Sequence, residues 1–356
     1  TPTDYHTLYG IFSKMVTSIR EEAFSPCIAY TGTRPVEYAA VPLTMYGSGA
    51  DHLESYTSMS ALLEHFYAEK NTLTRIRQKS SDLRRIVQTA LERDIKKYDL
   101  QLAQMKDTEK REKYRIYGEL LNTYGYSAKP GDRSLTAVNY YTNEPVTIPL
   151  DPTLSPTENA KKYFDKYGKL KRTYEALSSL TCQVKEEIDH LETISTALDI
   201  ALKEEDLVEI KEELTQSGYI RRKGGTKKAK ITSRPFHYLS SDGFHIYVGK
   251  NNFQNDELTF KFATGNDWWF HAKGIPGSHV VVKTEGKELP DRTFEEAGRL
   301  AAYYSKGREQ EKVEIDYVQK KQVKKPAGAK PGFVVYYTNY SLMIDSDISG
   351  IEKLSD

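Results

Sequence analysis

Two long stretches with apolar residues at every third or fourth position constrain this chain more than any other feature. Between residues 57 and 112 these positions are Leu62, Phe66, Leu73, Ile76, Leu83, Val87, Leu91, Ile95, Tyr98, Leu102 and Met105. Between 156 and 203 the stripe is Tyr167, Leu170, Tyr174, Leu177, Thr181, Val184, Ile188, Leu191, Ser195, Leu198 and Leu202. Such spacing puts one narrow stripe on a helix, the pattern of a coiled-coil seam. At 1.5 Å per residue the first helix would be on the order of 80 Å long. Two helices with one stripe each satisfy one another most simply as an antiparallel pair. The consecutive four-residue steps Val87–Leu91–Ile95 read as a stutter in the first. Ser58 or Ser60 can cap its start, and Ser155-Pro156-Thr157-Glu158 opens the second with an early proline and an acid in the first turn.

The segment between these helices has the size of a cap on their reversal. KYRIYGELLNTYGYSAK reads as a short helix ending near Gly125, and AVNYYTNEPVTIPLD as a β-hairpin across Thr142-Asn143-Glu144-Pro145. Its tyrosines, Tyr114, Tyr117, Tyr124, Tyr126, Tyr140 and Tyr141, suit a small tip core and equally a contact surface, each ring having an apolar body and a polar end. Ahead of the arm, residues 1–22 carry helical spacing, and residues 26–46 read as a strand pair around a glycine-containing turn.

Charged residues make up 28% of the chain and hydrophobic ones 38%, and no apolar run approaches the roughly 20 residues of a membrane span. The opening lacks a basic start followed by an apolar block, so no signal peptide is expected. Two cysteines far apart, Cys27 and Cys182, argue for a reducing compartment, hence a cytoplasmic location, and exclude a CxxC zinc site. Charge is uneven. Residues 1–220 hold 28 Lys+Arg against 33 Asp+Glu, whereas residues 221–356 hold 23 against 17, so the basic end is C-terminal and points to an anionic partner there. Residues 221–234, RRKGGTKKAKITSR, contain seven Lys or Arg and no acid, which suits a solvated tether or a phosphate-attracting linker.

Residues 235–350 alternate like an α+β module. FHYLSSDGFHIYVGK is a hairpin around Ser-Asp-Gly; ELTFKFA, WWFHA and HVVVKT read as strands. TFEEAGRLAAYYSKG is an amphipathic helix ending at Gly307, KVEIDYVQKKQVKK is a further strand, and FVVYYTNYSLMID reads as a hairpin around Thr338-Asn339. Both tryptophans fall in NDWWFHAKGIPGSHVVVK. On a strand, Trp268 and Trp269 point to opposite faces. With Phe270 taken as core, Trp268 packs inward, while Trp269, His271 and Lys273 share an exposed face. The Ile275–Ser278 turn then presents unpaired N–H groups beside it, with Ser278 and His279 following. A π-face, imidazoles and a cation near free amides suit a nucleotide, although the same residues could be core. VQKKQVKKPAGAKP adds Lys320, Lys321, Lys324, Lys325 and Lys330 with no acid, and Lys250, Asn251 and Asn252 in GKNNFQND are further donors. Chemistry is poorly represented: no G-x-S-x-G or H-E-x-x-H occurs, and the histidines His237 and His245 leave a metal site conceivable without an acid-rich loop. No enzyme activity, cofactor or metal is expected.

Taken in order, these segments resemble a known family. SDGFHIYVGKNNFQNDELTFKFA, DWWFHAKGIPGSHVVVK, EAGRLAAYYSK and VKKPAGAKPGFVVY are similar to its NFACT-R domain. DHLESYTSMSALLEHFYAEK, GELLNTYGYSAKPGD, VNYY and IPLDPTLSPTENAKKYFDKYGKLKR are similar to its coiled-coil middle. The family is NFACT, including the bacterial RqcH-type ribosome quality control factors, long catalogued as fibronectin-binding protein A-like and related to eukaryotic NEMF. The resemblance implies an α+β fold: a remnant of the N-terminal and helix-hairpin-helix region over 1–56, a long antiparallel coiled coil over 57–112 and 156–217, a tip insert over 113–155, a basic linker over 218–234 and NFACT-R over 235–356. It also implies a non-enzymatic RNA-binding factor. Such a factor engages large ribosomal subunits, at rRNA and the stalk base, that carry peptidyl-tRNA on a stalled nascent chain. It recruits tRNA, alanyl-tRNA in bacteria, for template-free tailing.

Departures matter. The family begins with an NFACT-N domain bearing an Asp-Arg tRNA-binding motif. This chain starts at Thr1 without a full counterpart, and Asp291-Arg292 lies in the C-terminal module, so that motif is not carried onto it. A fragment that keeps arm contacts and loses much tRNA selection is expected. The competing classes are a surface adhesin binding fibronectin and a nucleic-acid-processing enzyme.

Overall fold

A computed structural model of the chain describes residues 2–31, 34–43, 46, 51–221 and 233–354. The basic linker expected at 218–234 falls mostly on 222–232, outside the described residues, as does the Leu73 side chain. In chain order the elements are α1 (Pro2–Arg20), β1 (Cys27–Thr31), β2 (Arg34–Ala39), β3 (Asp51–Ser55), α2 (Met59–Asp107), α3 (Arg111–Tyr124), β4 (Ser134–Asn139), β5 (Glu144–Pro149), α4 (Pro156–Ile200) and α5 (Glu204–Gln216). Then come β6 (Phe236–Leu239), β7 (His245–Val248), α6 (Asn252–Glu257), a π-helical turn (Leu258–Phe262), β8 (Trp268–Ala272), β9 (Val280–Val282) and α7 (Asp291–Tyr303). The chain ends with β10 (Val313–Gln319), β11 (Val323–Lys324), β12 (Val335–Tyr336), β13 (Tyr340–Ile344) and β14 (Glu352–Lys353). It forms two units, residues 88–192 and residues 1–87 with 193–356.

The unit 88–192 contains residues 88–107 of α2, residues 156–192 of α4 and the insert. Thr181 Oγ1 donates to Met105 Sδ at 3.5 Å, and the Arg111 guanidinium lies 4.1 Å from the centre of the Tyr174 ring. One residue number rises as the other falls, so the pairing is antiparallel, as the seams require. The seam of α4 is buried as read at Thr181, Val184, Ile188 and Leu191, while Tyr167, Leu170, Tyr174 and Leu177 are half-buried. The seam of α2 is corrected. Ile95 and Leu102 are each 42% exposed, and the buried positions are Leu91, Asp94, Gln101 and Thr108. Three- and four-residue steps continue regularly through Val87, Leu91, Asp94, Tyr98, Gln101 and Met105, so there is no stutter. Geometry fixes which positions face the partner helix, and polar side chains occupy several of them.

α4 starts with a capping box: Ser155 N donates to Glu158 Oε2 at 2.8 Å and Glu158 N to Ser155 Oγ at 3.3 Å. The insert forms its own core from Tyr117, Leu120 and Leu121 of α3, Leu135 and Ile148 of the β4–β5 hairpin, and Ala160. Gly118 is obligatory there, because a Cβ would sit 2.8 Å from the Phe164 ring. Tyr117 is core, whereas Tyr126, Tyr140 and Tyr141 stay exposed, the latter two donating to Glu119.

In the other unit β1 is the middle of a three-stranded sheet, β2-β1-β3, whose Ile28 and Tyr30 pack on Leu62 and Phe66 of α2. Arg84 of α2 pairs with Asp199 at the end of α4, and Arg75 and Lys79 pair with Glu204 at the start of α5, so the antiparallel order continues past the end of α4. The second long helix stops at Ile200, short of the exposed Leu202; α5 restarts where Asp206 accepts N–H bonds from Leu202 and Lys203 at 3.1 and 3.0 Å.

The C-terminal sheet has seven antiparallel strands in the order β13-β10-β8-β9-β7-β6-β14, with α7 on one face. ELTFKFA is not a strand but the end of α6 and the π-helical turn. FVVYYTNYSLMID is not a hairpin either: β12 pairs with β11 and β13 with β10. No described helix is long and apolar enough to cross a membrane.

Candidate nucleic-acid interface

Alternation along β8 holds, but both faces of the sheet are covered there. Phe270 belongs to the α7-side core, and Trp268 packs half-buried against that core beside Phe294 and Tyr317. Trp269, expected to be exposed, is 0% exposed. It sits in a second core with Leu258, Ala263, Val281, Val318 and Val323, roofed by the π-helical turn and β11–β12. Its indole N–H has no acceptor among the described residues.

His271 stacks on Trp269 at 5.6 Å, and burial pushes its imidazole down to about 4, against partial support from backbone hydrogen bonds and the Asp316 carboxylate. His279 is buried, hydrogen-bonded through Nδ1 to Thr259 Oγ1 at 2.7 Å, and burial holds its pKa well below the usual value. Lys273 remains on the surface, where Glu314 at 2.6 Å raises its pKa.

The turn expected to offer free amides is partly paired with the segment after α7. Ser278 N donates to Tyr304 O at 2.9 Å, Gly277 bridges to Ser305, and Pro276 O accepts from Lys306 N at 2.9 Å. The segment after α7 takes up part of this turn, and Ser278 is buried.

Lys250, Asn251 and Asn252 are also buried, because this loop docks on α5 through a polar network. Lys250 Nζ lies 3.4 Å from Asp206 Oδ1. Asn251 Nδ2 donates to Glu209 at 2.6 Å, and Asn252 Nδ2 to Glu213 at 2.7 Å. Gln254 Nε2 reaches Glu209 at 2.7 Å. Burial raises the Glu209 carboxyl and pushes Glu213 up to about 7. These donors hold the cover of the Trp269 face in place.

The lysine-rich loop fares differently. Lys325 pairs with Asp256, and Lys330 is half-buried. Lys321 and Lys324 are exposed and make no ion pair among the described residues, while Lys320 Nζ lies 5.9 Å from the Phe260 ring centre. Asp267, almost fully buried, anchors the neighbourhood. Its Oδ2 accepts from Lys283 Nζ at 2.5 Å and from Thr264 N at 2.7 Å, and its backbone O accepts from Lys320 N at 2.8 Å. Hydrogen bonds from the backbone and Lys283 hold the Asp267 carboxyl below the usual range despite its burial.

The π-helical turn brings Lys261 and Phe262 to this same edge, 77% and 40% exposed. Both lie in ELTFKFA, whose period-two alternation signals a strand; the adjacency of an aromatic and a lysine is the clue in the sequence. His237 and His245 share one hydrogen bond of 2.9 Å, and no group of three or more potential ligands capable of holding a metal occurs among the described residues.

An edge of exposed lysines and an aromatic, braced by a buried aspartate, has the make-up of an RNA-contacting surface. Residues 1–233 match the family model described as NFACT N-terminal and middle domains, and residues 234–337 that described as NFACT protein RNA binding domain; the chain belongs to the NFACT family. Among its relatives is the Rqc2 homolog RqcH of Streptococcus suis, 41% identical over 308 residues that cover 86% of this chain and 55% of the relative. The Rqc2 homolog RqcH of Bacillus subtilis is 34% identical over 353 residues, 98% of this chain and 61% of that protein. The chain thus spans between about half and three fifths of these relatives. A solved structure of the C-terminal part of the fibronectin/fibrinogen-binding protein from Streptococcus suis aligns with a TM-score of 0.63 at 36% identity, covering 78% of this chain and 99% of that one.

Proposed function

We propose that this chain is the arm and RNA-contacting part of a ribosome-associated quality control factor, acting in the cytoplasm without enzymatic chemistry. Its partners on this reading are the large ribosomal subunit, at rRNA and the stalk base, and tRNA. The finer role is to help hold subunits bearing peptidyl-tRNA and to recruit tRNA, alanyl-tRNA in bacteria, for template-free tailing of the nascent chain. The observation that carries the reading is the exposed pair Lys321 and Lys324 beside Lys320, with the segment holding Lys261 and Phe262 next to it, where the end of β10 meets the start of β8. The names of the RqcH relatives support the ribosomal setting. The test is co-sedimentation of the full chain with purified large subunits, together with titration of labelled tRNA. Binding to both is expected, and weaker tRNA binding after Lys321→Gln/Lys324→Gln. An adhesin reading rests on the name of the solved relative alone. Saturable fibronectin binding with no affinity for tRNA or large subunits would favour it instead.

A further inference from the structure

One cross-strand row, His237–Tyr247–Val281–Trp269–Val318, runs over β6, β7, β9, β8 and β10 on a single sheet face. Its Trp269 end is roofed, whereas His237 and Tyr247 remain half-exposed. Their rings stack on one another with centroids 4.3 Å apart and planes 9° apart, and Tyr247 also packs against the Trp269 core, so a ligand would meet only the outer, half-exposed sides of this pair. Phe262 stands edge-on to Tyr247 at 4.7 Å and 68°. The rim carries three lysines: Lys283 Nζ lies 4.9 Å from the Phe262 ring centre and pairs with Asp267, which ties it to the backbone of the Lys320–Lys321 turn; Lys261, next to Phe262, is exposed and lies 4.0 Å from the exposed Glu257; and Lys321 is exposed without an ion pair among the described residues. Glu285 lies on the Tyr247 side, so an anionic backbone is drawn towards Lys261, Lys283 and Lys321.

Flat rings on a rigid sheet with lysines along one rim suit a flat ligand attached to an anionic chain. The π-faces of unpaired nucleobases fit that description and those of a duplex do not, because a duplex keeps its base faces inside its own stack. We infer that His237, Tyr247 and Phe262 form a stacking platform for unpaired nucleotides of single-stranded RNA, their phosphates running along Lys261, Lys283 and Lys321. This rests on the RNA-binding reading above and adds the strandedness of the ligand.

The test compares a labelled ten-nucleotide oligouridine with a ten-base-pair RNA duplex, using the full chain at one salt concentration. Phe262→Leu and Phe262→Leu/Tyr247→Leu keep apolar bulk and remove the aromatic faces, and thermal unfolding checks that each is folded. The expected result is about a tenfold loss of oligouridine affinity per lost stack, with duplex affinity unchanged. Should the double variant fail to fold, Phe262→Leu alone decides, its ring being at the rim. Equal losses on both ligands, or none on either while Lys321→Gln/Lys324→Gln still weakens both, overturn the platform and leave RNA binding standing. No binding of either RNA at low salt overturns both.

Discussion

On β8 the ring of Trp269 is sealed beneath the π-helical turn and β11–β12, whereas on the same face Tyr247, two strands away, and His237, three strands away, remain half-exposed. Register and alternation are identical at the two places. What differs is the cover, and the cover is built by a segment that looks like a strand in sequence. The contrast separates two jobs for aromatic residues: sealed rings secure the fold, and open rings beside lysines are available to a ligand.

The largest test of that contrast is Trp269→Ala. Removing a fully buried indole should cost about 3–5 kcal/mol of stability in denaturant unfolding. Measured well below its melting temperature, the variant should keep its RNA affinity; a stable variant with lost affinity would reverse the two roles.

The same distinction applies on the arm. Leu191→Ala, at a fully buried seam position, should cost about 2–5 kcal/mol, whereas Leu102→Ala, facing outward, should stay within about 0.5 kcal/mol. Comparable melting shifts for the two would restore the stutter.

The cover itself is anchored through Glu213, whose carboxyl is raised from 4.5 to about 7 mainly by burial. Below about pH 4.5 both folded and unfolded chains hold this proton. As pH rises towards 7 the unfolded chain loses it first, so stability is lost over that window. Glu213→Gln stays neutral and still accepts from Asn252. Its stability advantage over the native chain should therefore grow by on the order of 2 kcal/mol between pH 4.5 and 7.5 and then level off. A gap independent of pH would show that the Glu213 carboxyl titrates in the folded chain as it does in the unfolded one.

The smallest effect per residue belongs to the lysine turn. Lys320→Gln/Lys321→Gln/Lys324→Gln should reduce the slope of log affinity against log salt for tRNA by about 2–3. An unchanged slope would place the phosphate contacts elsewhere.

Much of the architecture was legible because periodicity is a local property. The α4 seam, the insert and its hairpin, and strands β6 to β10 follow from spacing and turn residues. The α2 seam misled beyond Leu91 because apolar character was used as a proxy for position, and Asp94, Gln101 and Thr108 hold seam positions while Ile95 and Leu102 face out. At the candidate interface the lysines of 320–324 could be read directly. The fate of Trp269, Ser278 and Asn251 could not, since it depends on which distant segment lies over them: the π-helical turn, the stretch after α7, and α5 respectively. Residue type identifies what can bind, and only tertiary cover decides what is free to.

The most direct test of the account is photocrosslinking of the full chain to single-stranded RNA carrying 4-thiouridine, with the crosslinked peptides identified by mass spectrometry. The account predicts adducts on the π-helical turn at Phe262, on β7 at Tyr247 and on the 320–324 turn, with none on Trp269. Adducts confined to the tip insert around Tyr126, or to the edge strand β13, would contradict it.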